Sequence, residues 1–497
     1  MNRLYLLFAA FLGNLSLLNA QMVAIDSSFS EDGYHITLIQ PSKMYHHPMD
    51  VFSNGNIVVG GNAPITSNVK VNIYSEGGDS LATIGPFPGE EPYSGVGVVK
   101  VLPSGKFLCA NGISTLRRYH PDGTLDSTFG DNGYCSLKKV QVVDLAIRPD
   151  GGIYGIGRYG PVDTSAIVAF LENGVPDSSF SEDGLQLYCQ SNLEIFYCIE
   201  LQADGKLLIS GFSFFAQKDR PGSLIRFLPN GQLDSTFGIN GRVLEYLTQQ
   251  SEGYALGVQS DQKIVVGGYT LPPYMATVVR YLPNGDRDPE FGDSGVVYLP
   301  IGLEVLDLII QPDGKLLLYV WANIHSNSTG ALLIQLNPDG SMDQTFGAGG
   351  VYYSNLTPVE PPFALAKSGN NKIVTVATSP FAPSSPQFLH IQQFILDFNV
   401  GVLQPNNALD EAQMLVYPNP VSQNIQFQFE LQTPETLDIQ LLDLSGKILQ
   451  TVHQHQLFEA GKQEISIPVS DALPAGTYLL NISGQGKVIR SVRWVKG

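Results

Sequence analysis

The side chains able to do acid–base or metal chemistry are few and scattered in this chain. Of eight histidines, only His46-His47 are adjacent. Neighbours on an extended strand point to opposite faces, so that pair does not converge on one ion. His453 and His455 lie far away in the tail. Glu90-Glu91 is a carboxylate pair, but adjacency in sequence does not set the separation of roughly 5–9 Å that two carboxylates need across a glycosidic bond. No H-E-x-x-H, G-x-S-x-G or phosphate-binding loop occurs. No catalytic residue, cofactor site or metal site is therefore expected.

The four cysteines suit an oxidising compartment without specifying a disulfide-built fold. Cys189 and Cys198 are spaced to bridge two strands of one hairpin, with Cys109 and Cys135 a weaker pair. Buried free thiols are the other reading of all four.

Aromatic side chains are the more promising material. Tyr45, Tyr93, Phe214, Phe215, Tyr274 and Trp321 fall in irregular stretches rich in Pro, Ser and Gly. Aromatic faces in loops form stacking surfaces for a glycan or a peptide, or else pack against neighbouring loops.

What positions them is a repeat. An Asp-x-x-Phe element recurs from Asp26–Phe29 through Asp126–Phe129, Asp177–Phe180, Asp234–Phe237, Asp288–Phe291 and Asp343–Phe346, with a decayed copy placing Ile84 at the Phe position. A turn keeps the same beat: Ser53–Asn56, Pro103–Lys106, Pro149–Gly152, Ala203–Lys206, Ser260–Lys263, Pro312–Lys315 and Asn370–Lys372. Both count seven. Gly and Asn tolerate the left-handed backbone of tight hairpins, and the flanking runs are rich in Val, Ile and Leu.

Four short strands per copy, read for one unit as 295–299, 304–310, 315–321 and 331–336, are the arithmetic of a seven-bladed β-propeller. The Asp would then fix the crossover between blades by accepting backbone N–H groups, and the Phe would plug the wedge between sheets. The turns and the Asp-x-x-Phe elements would share one rim, leaving the irregular loops on the other. Calcium loops are disfavoured, because Gly238-Ile239-Asn240 and Gly347-Ala348-Gly349 lack carboxylates.

The repeat resembles the delta-60 repeat family of bacterial surface and secreted proteins over residues 26–400. That resemblance implies a propeller-like fold and brings no established chemistry. The Ile84 copy and the Gln262 and Asn371 turns depart from its pattern.

Both ends differ from the repeat. Arg3 followed by the apolar Leu4–Leu18 and Leu18-Asn19-Ala20 reads as a signal peptide, residues 1–20. The propeller is expected over 21–398 and a polar linker over 399–414, followed by a sorting domain of short strands over 415–497. This tail is similar to the type A sorting domain of the type IX secretion system of Bacteroidetes. The similarity rests on Tyr417-Pro418-Asn419-Pro420, the turn at Gly446, and the segment with Gly476 and Tyr478. The tail's short strands, separated by Pro-Asn, Ser-Gly and Ala-Gly turns, read as a small immunoglobulin-like β-sandwich. The resemblance implies passage through the outer membrane, recognition by the secretion machinery, and removal of the tail by a sortase-type protease, with the cut expected in the linker.

Charge narrows the partners. A formal charge of −18 opposes binding to nucleic acid. No transmembrane segment is expected in the mature chain, since no later run reaches the ~18 apolar residues of a span. The expectation is a secreted or outer-membrane-surface, non-catalytic propeller that binds a glycan or protein. The competing reading is a secreted hydrolase or lyase acting on polysaccharide or protein, its acid and base drawn from different blades.

Overall fold

Short β-branched runs separated by Gly-containing turns form strands throughout, and among the described residues no α-helix is present. The computed structural model describes residues 22–496 except 27, 31–33, 38–47, 63–68, 86–95, 112–114, 161–163, 192, 216–218, 326–327, 354–361, 370, 379–388, 398–414, 418–423, 432–433, 443–447, 470–472, 475 and 485–486. Two compact units account for it, one within Gln21–Phe398 and one within Asn399–Gly497.

The first unit is a ring of seven antiparallel sheets. Blade 5 shows the plan: Gln250–Val258, Ile264–Leu271, Met275–Tyr281 and Val296–Tyr298 pair in chain order. Blade 6 repeats it with Glu304–Ile310, Leu316–His325, Ser328–Leu336 and Val351–Tyr353. The first strand of each blade touches the first strands of its neighbours all the way round, ending with Pro362–Ser368 of blade 7 against Met49–Val51 of blade 1. These seven strands therefore line the axis.

This phase differs from the sequence reading by one strand. Residues 296–298 pair with Met275–Tyr281 and are the outer strand of blade 5, not the first strand of blade 6. The Asp-x-x-Phe element consequently lies inside a blade, between third and outer strands, rather than at a crossover. The division of the rims survives the shift: the 312–315 type of hairpin and the Asp-x-x-Phe turn share one end of the sheet. The connections between second and third strands and between blades share the other.

Each seam between blades has its own apolar core. Phe29, Phe129, Phe180, Phe237, Phe291 and Phe346 are fully buried, each in a cluster drawn from two adjacent sheets. Ile84 packs at the remaining seam, where Phe52, Phe107 and Tyr119 supply the bulk. Blade faces hidden this way are removed from water without a second layer of structure.

The aspartates set up the turns and tie the seams. Asp126 Oδ1 accepts the Thr128 N–H (3.2 Å) and hydroxyl (2.6 Å), while Oδ2 accepts Arg118 Nε (2.6 Å) and Lys106 Nζ (2.9 Å). Arg118 then donates Nη1 to the Glu172 carbonyl of the next blade at 2.6 Å. Arg226 does the same from Asp234 to the Pro283 carbonyl, and Arg280 from Asp288 to Pro338. In blade 6 Gln335 stands where blades 2, 4 and 5 carry Arg, donating Nε2 to Asp343 at 2.7 Å. The ring closes with its earliest residues: Met22–Ile25 and Tyr34–Thr37 both pair with Leu389–Asp397, completing blade 7.

The hairpin turns need a left-handed residue, supplied by Gly105 (φ +79°) and Gly314 (φ +84°). In blade 5 Gln262 holds that position at φ +67°, which is how the departure noted in sequence is accommodated. All four cysteines are free thiols. Cys198 lies on the first strand of blade 4, whereas Cys189 follows the outer strand of blade 3, so the proposed hairpin does not exist.

The second unit has two sheets, one of Leu415–Tyr417, Asn424–Leu431 and Gly461–Pro468, the other of Glu435–Leu442, Ile448–Phe458, Gly476–Gly484 and Lys487–Lys496. Ile425, Phe427, Ile465 and Ile467 of the first share a core with Leu437, Ile439, Leu441, Leu480 and Ile482 of the second. It is a two-sheet sandwich.

Candidate functional site

Six of the seven axial strands carry a β-bulge, which re-aims one residue on each. In blades 4, 5 and 6 the extra residues are Tyr197, Tyr254 and Leu306, and they meet. Around them an aromatic chain crosses the loop rim. Successive ring centroids from Phe212 to Tyr197, Tyr254, Tyr269 and Tyr274 are 6.0, 4.7, 5.8 and 5.2 Å apart. Trp321 and Leu271 pack against this group.

Three buried glutamates lie within the first three positions of the same three axial strands: Glu194, Glu252 and Glu304. Glu252 is saturated. It accepts the hydroxyls of Tyr197 (3.1 Å), Tyr254 (2.9 Å) and Tyr269 (2.9 Å), and it pairs with Arg220. Glu194 accepts the Ser213 hydroxyl at 2.5 Å and faces Arg242 Nη1 at 3.3 Å; burial nonetheless pushes its carboxyl above the ordinary value.

Among the described residues, Glu304 has no cation. Tyr274 donates its hydroxyl to Oε1, while Oε2 is buried with no protein partner. Burial, with the nearby Glu252 charge adding to it, raises this carboxyl to about 7. Directly across the strand pair stands Trp321, whose indole Nε1 is likewise buried without a protein partner.

Of the aromatic residues singled out in sequence, the structure brings Tyr274 and Trp321 together at Glu304. Phe215 lies under Arg242, 5.8 Å from ring centroid to guanidinium, and Phe214 ends the second strand of blade 4 half-buried. Tyr45, Tyr93, His46, His47, Glu90 and Glu91 fall outside the described residues. In the sandwich, Gly476 opens a strand and the buried Tyr478 donates to the Pro474 carbonyl at 2.7 Å. The Tyr417 side chain, Pro418, Asn419, Pro420 and Gly446 are outside the described part.

Sequence reasoning missed Glu252, Glu304, Arg220, Tyr197, Tyr254 and Tyr269. Aligning copies on the hairpin turn would have exposed a bulge column: Val143, Tyr197, Tyr254 and Leu306 each precede the Asp of the turn by the same seven positions. Among the described residues no three His, Cys, Asp or Glu side chains are placed to hold a metal ion, and no helix is long and apolar enough to cross a membrane.

Known proteins bear on both units. Residues 415–495 match the secretion system C-terminal sorting domain. Residues 112–129, 202–237, 259–291 and 311–346 match a β-propeller domain of unknown function, DUF5122. No curated protein matches the chain. Among solved structures it is similar to PorZ, a surface component of the type IX secretion system of Porphyromonas gingivalis, at 12% identity and a TM-score of 0.42. That match covers 93% of this chain and 60% of PorZ. It is also similar to a polysaccharide lyase of family PL25, an ulvan lyase (10% identity, TM-score 0.43, covering 73% of this chain and 95% of that one). A PQQ-bound aldose sugar dehydrogenase from Streptomyces coelicolor is a third (14% identity, TM-score 0.37, covering 59% and 93%).

The sorting tail marks the protein for type IX export, to the cell surface or the medium. The chain is a seven-bladed β-propeller with DUF5122 repeats, joined to a secretion-system C-terminal sorting domain.

Proposed function

We propose that the protein is a non-catalytic binding scaffold displayed at the cell surface, with its ligand site on the loop rim of blades 4–6. The observation that carries this reading is the pairing of two buried polar atoms without protein partners, Glu304 Oε2 and Trp321 Nε1, beneath the exposed Tyr274. Buried polar groups are usually hydrogen-bonded. Ser251 Oγ and Thr270 Oγ1 form another unpartnered cross-strand pair. What sets Glu304 and Trp321 apart is a carboxylate and an indole N–H under an exposed aromatic ring, a combination suited to an external partner. In this reading residues 1–20 are a signal peptide, 21–398 the working module and 399–414 the linker cut by a sortase-type protease. The mature ligand is a glycan or a protein.

A second reading is favoured by the Glu304 carboxyl itself, since an acid titrating near 7 suits a general acid for a secreted hydrolase or lyase. Against it, Glu252, the carboxylate whose charge acts on Glu304, is itself spent on three tyrosines and Arg220.

Glycan and peptide arrays probed with the full chain and with Tyr274→Ala test the scaffold reading. Binding that drops in the variant supports it. Array binding indifferent to Tyr274→Ala removes the assignment of this rim, and steady turnover of an array ligand replaces scaffold with enzyme.

A further inference from the structure

Among the described residues, the loop rim of blades 4–6 gathers Glu194, Glu252 and Glu304 with Arg220 and Arg242, and both arginines are committed: Arg220 to Glu252 and Arg242 to Glu194. Among the described residues, no cation acts on Glu304 and the Glu252 carboxylate stands near it, which disfavours an anionic ligand at this point. A cationic ligand could satisfy Glu304 but not Trp321, because an ammonium has no lone pair for the indole N–H. A hydroxyl is the simple group that donates to a carboxylate and accepts from an indole at once. Aromatic rings beside those atoms, Trp321 half-buried and Tyr274 exposed, suit the apolar face of a sugar ring.

Resting on the reading of this rim as the ligand site, we propose that it binds a neutral sugar residue of a polysaccharide. One ligand hydroxyl bridges Glu304 Oε2 and Trp321 Nε1, and the sugar face lies on Trp321 and Tyr274. Both atoms are closed off from solvent. The ligand reaches them by displacing Tyr274, whose hydroxyl on Glu304 occupies a place like that of the incoming sugar hydroxyl. The charged and titratable groups facing Glu304 are Glu252, Tyr269 and Tyr274, with Arg220 behind Glu252. A hydroxyl donating to the ionised carboxylate makes a charge-assisted bond, so binding strengthens as pH rises from 6 to 8.

The chain has two tryptophans, Trp321 and Trp494 in the sorting domain, so indole fluorescence reports the site over one constant background. The full chain is titrated with cellohexaose, laminarihexaose and mannohexaose, and with hexagalacturonate and a glucosamine hexamer as charged counterparts. Saturable quenching by a neutral hexamer is expected, absent in Trp321→Phe. Calorimetry of that hexamer is expected to show about tenfold weaker binding for Trp321→Phe and Glu304→Gln, with the pH dependence abolished in Glu304→Gln. Tyr274→Phe, which drops the competing hydroxyl and keeps the ring, is expected to bind a few-fold tighter.

If Glu304→Gln does not fold, Trp321→Phe and Tyr274→Phe carry the test. Binding confined to the charged hexamers overturns the sugar class while leaving the rim as a site. No response at Trp321 to any hexamer, with array binding unchanged in Tyr274→Ala, overturns both.

Discussion

Lys372 Nζ lies 3.0 Å from Asp26 Oδ2, joining the hairpin of the last blade to the opening strand of the propeller. The same Lys–Asp pairing is made within single blades elsewhere, as by Lys106 with Asp126 and Lys315 with Asp343. The closure therefore reuses the contact that braces each blade, with the two partners taken from opposite ends of the ring.

Ring closure should dominate stability. Phe29→Ala empties a fully buried position at the seam of blades 7 and 1 and is expected to cost about 3–5 kcal/mol. Leu81→Ala, on an exposed side chain, is expected to cost under about 0.5 kcal/mol. Urea unfolding monitored by circular dichroism compares them, and equal midpoints would refute the assigned role of Phe29.

Acid should loosen the whole ring. Burial alone would raise Asp126, Asp177, Asp234, Asp288 and Asp343, but hydroxyl, backbone and Lys, Arg or Gln partners outweigh it and hold them below the ordinary value. Groups lowered in the folded state contribute stability above the ordinary carboxylate range, and it is lost as pH falls through that range and below. Unfolding midpoints measured from pH 6 to 3 are expected to fall steeply below about pH 4. Asp234→Asn should shallow that slope.

Glu304 should behave the opposite way. Its raised carboxyl favours the folded state while protonated, and that advantage is lost as pH rises from the ordinary 4.5 through about 7. Glu304→Gln is expected to stabilise the protein at pH 8 by at most about 3 kcal/mol and to make little difference at pH 5. Paired thermal melts at the two pH values decide it; an equal gain at both would contradict the burial argument.

The struts between blades should tolerate Gln better than Leu. Arg226→Leu removes the nearer cation of the buried Asp234, leaving Lys206 at 3.5 Å, and frees the Pro283 carbonyl, an expected loss of about 1.5–3 kcal/mol. Arg226→Gln copies the bond that Gln335 makes to Asp343 and is expected to lose about half as much. Denaturant titration of the two variants would show the order, and its reversal would deny the shared role of Arg226 and Gln335.

Deleting 399–497 should leave the propeller folded and stop its export, trapping it in the periplasm. Fractionation with immunoblotting reads this out. Truncated protein in the medium at the level of the intact chain would contradict the sorting role of the tail.

The repeat made the seams legible. Phe129 and its counterparts recur because every seam needs the same plug, and even the substitution by Ile84 kept the beat. The strand phase was not legible, because outer strands such as Val296–Tyr298 are three residues long and nothing in their sequence says which neighbour they pair with. Tyr274 and Trp321 stood out as loop aromatics. Glu252 and Glu304 did not, since they lie within the first three positions of ordinary axial strands and acquire their character from bulges and burial contributed by other blades.

The earliest-made strand of the propeller is the last to find its place, because Met22–Ile25 has nothing to pair with until Leu389–Asp397 exists. Closure of the wheel therefore requires the full run of blades. A chain interrupted before blade 7 leaves Met22–Ile25 without its partner strand and Phe29 without half of its socket, whereas a molecule carried through to its seventh sheet is sealed.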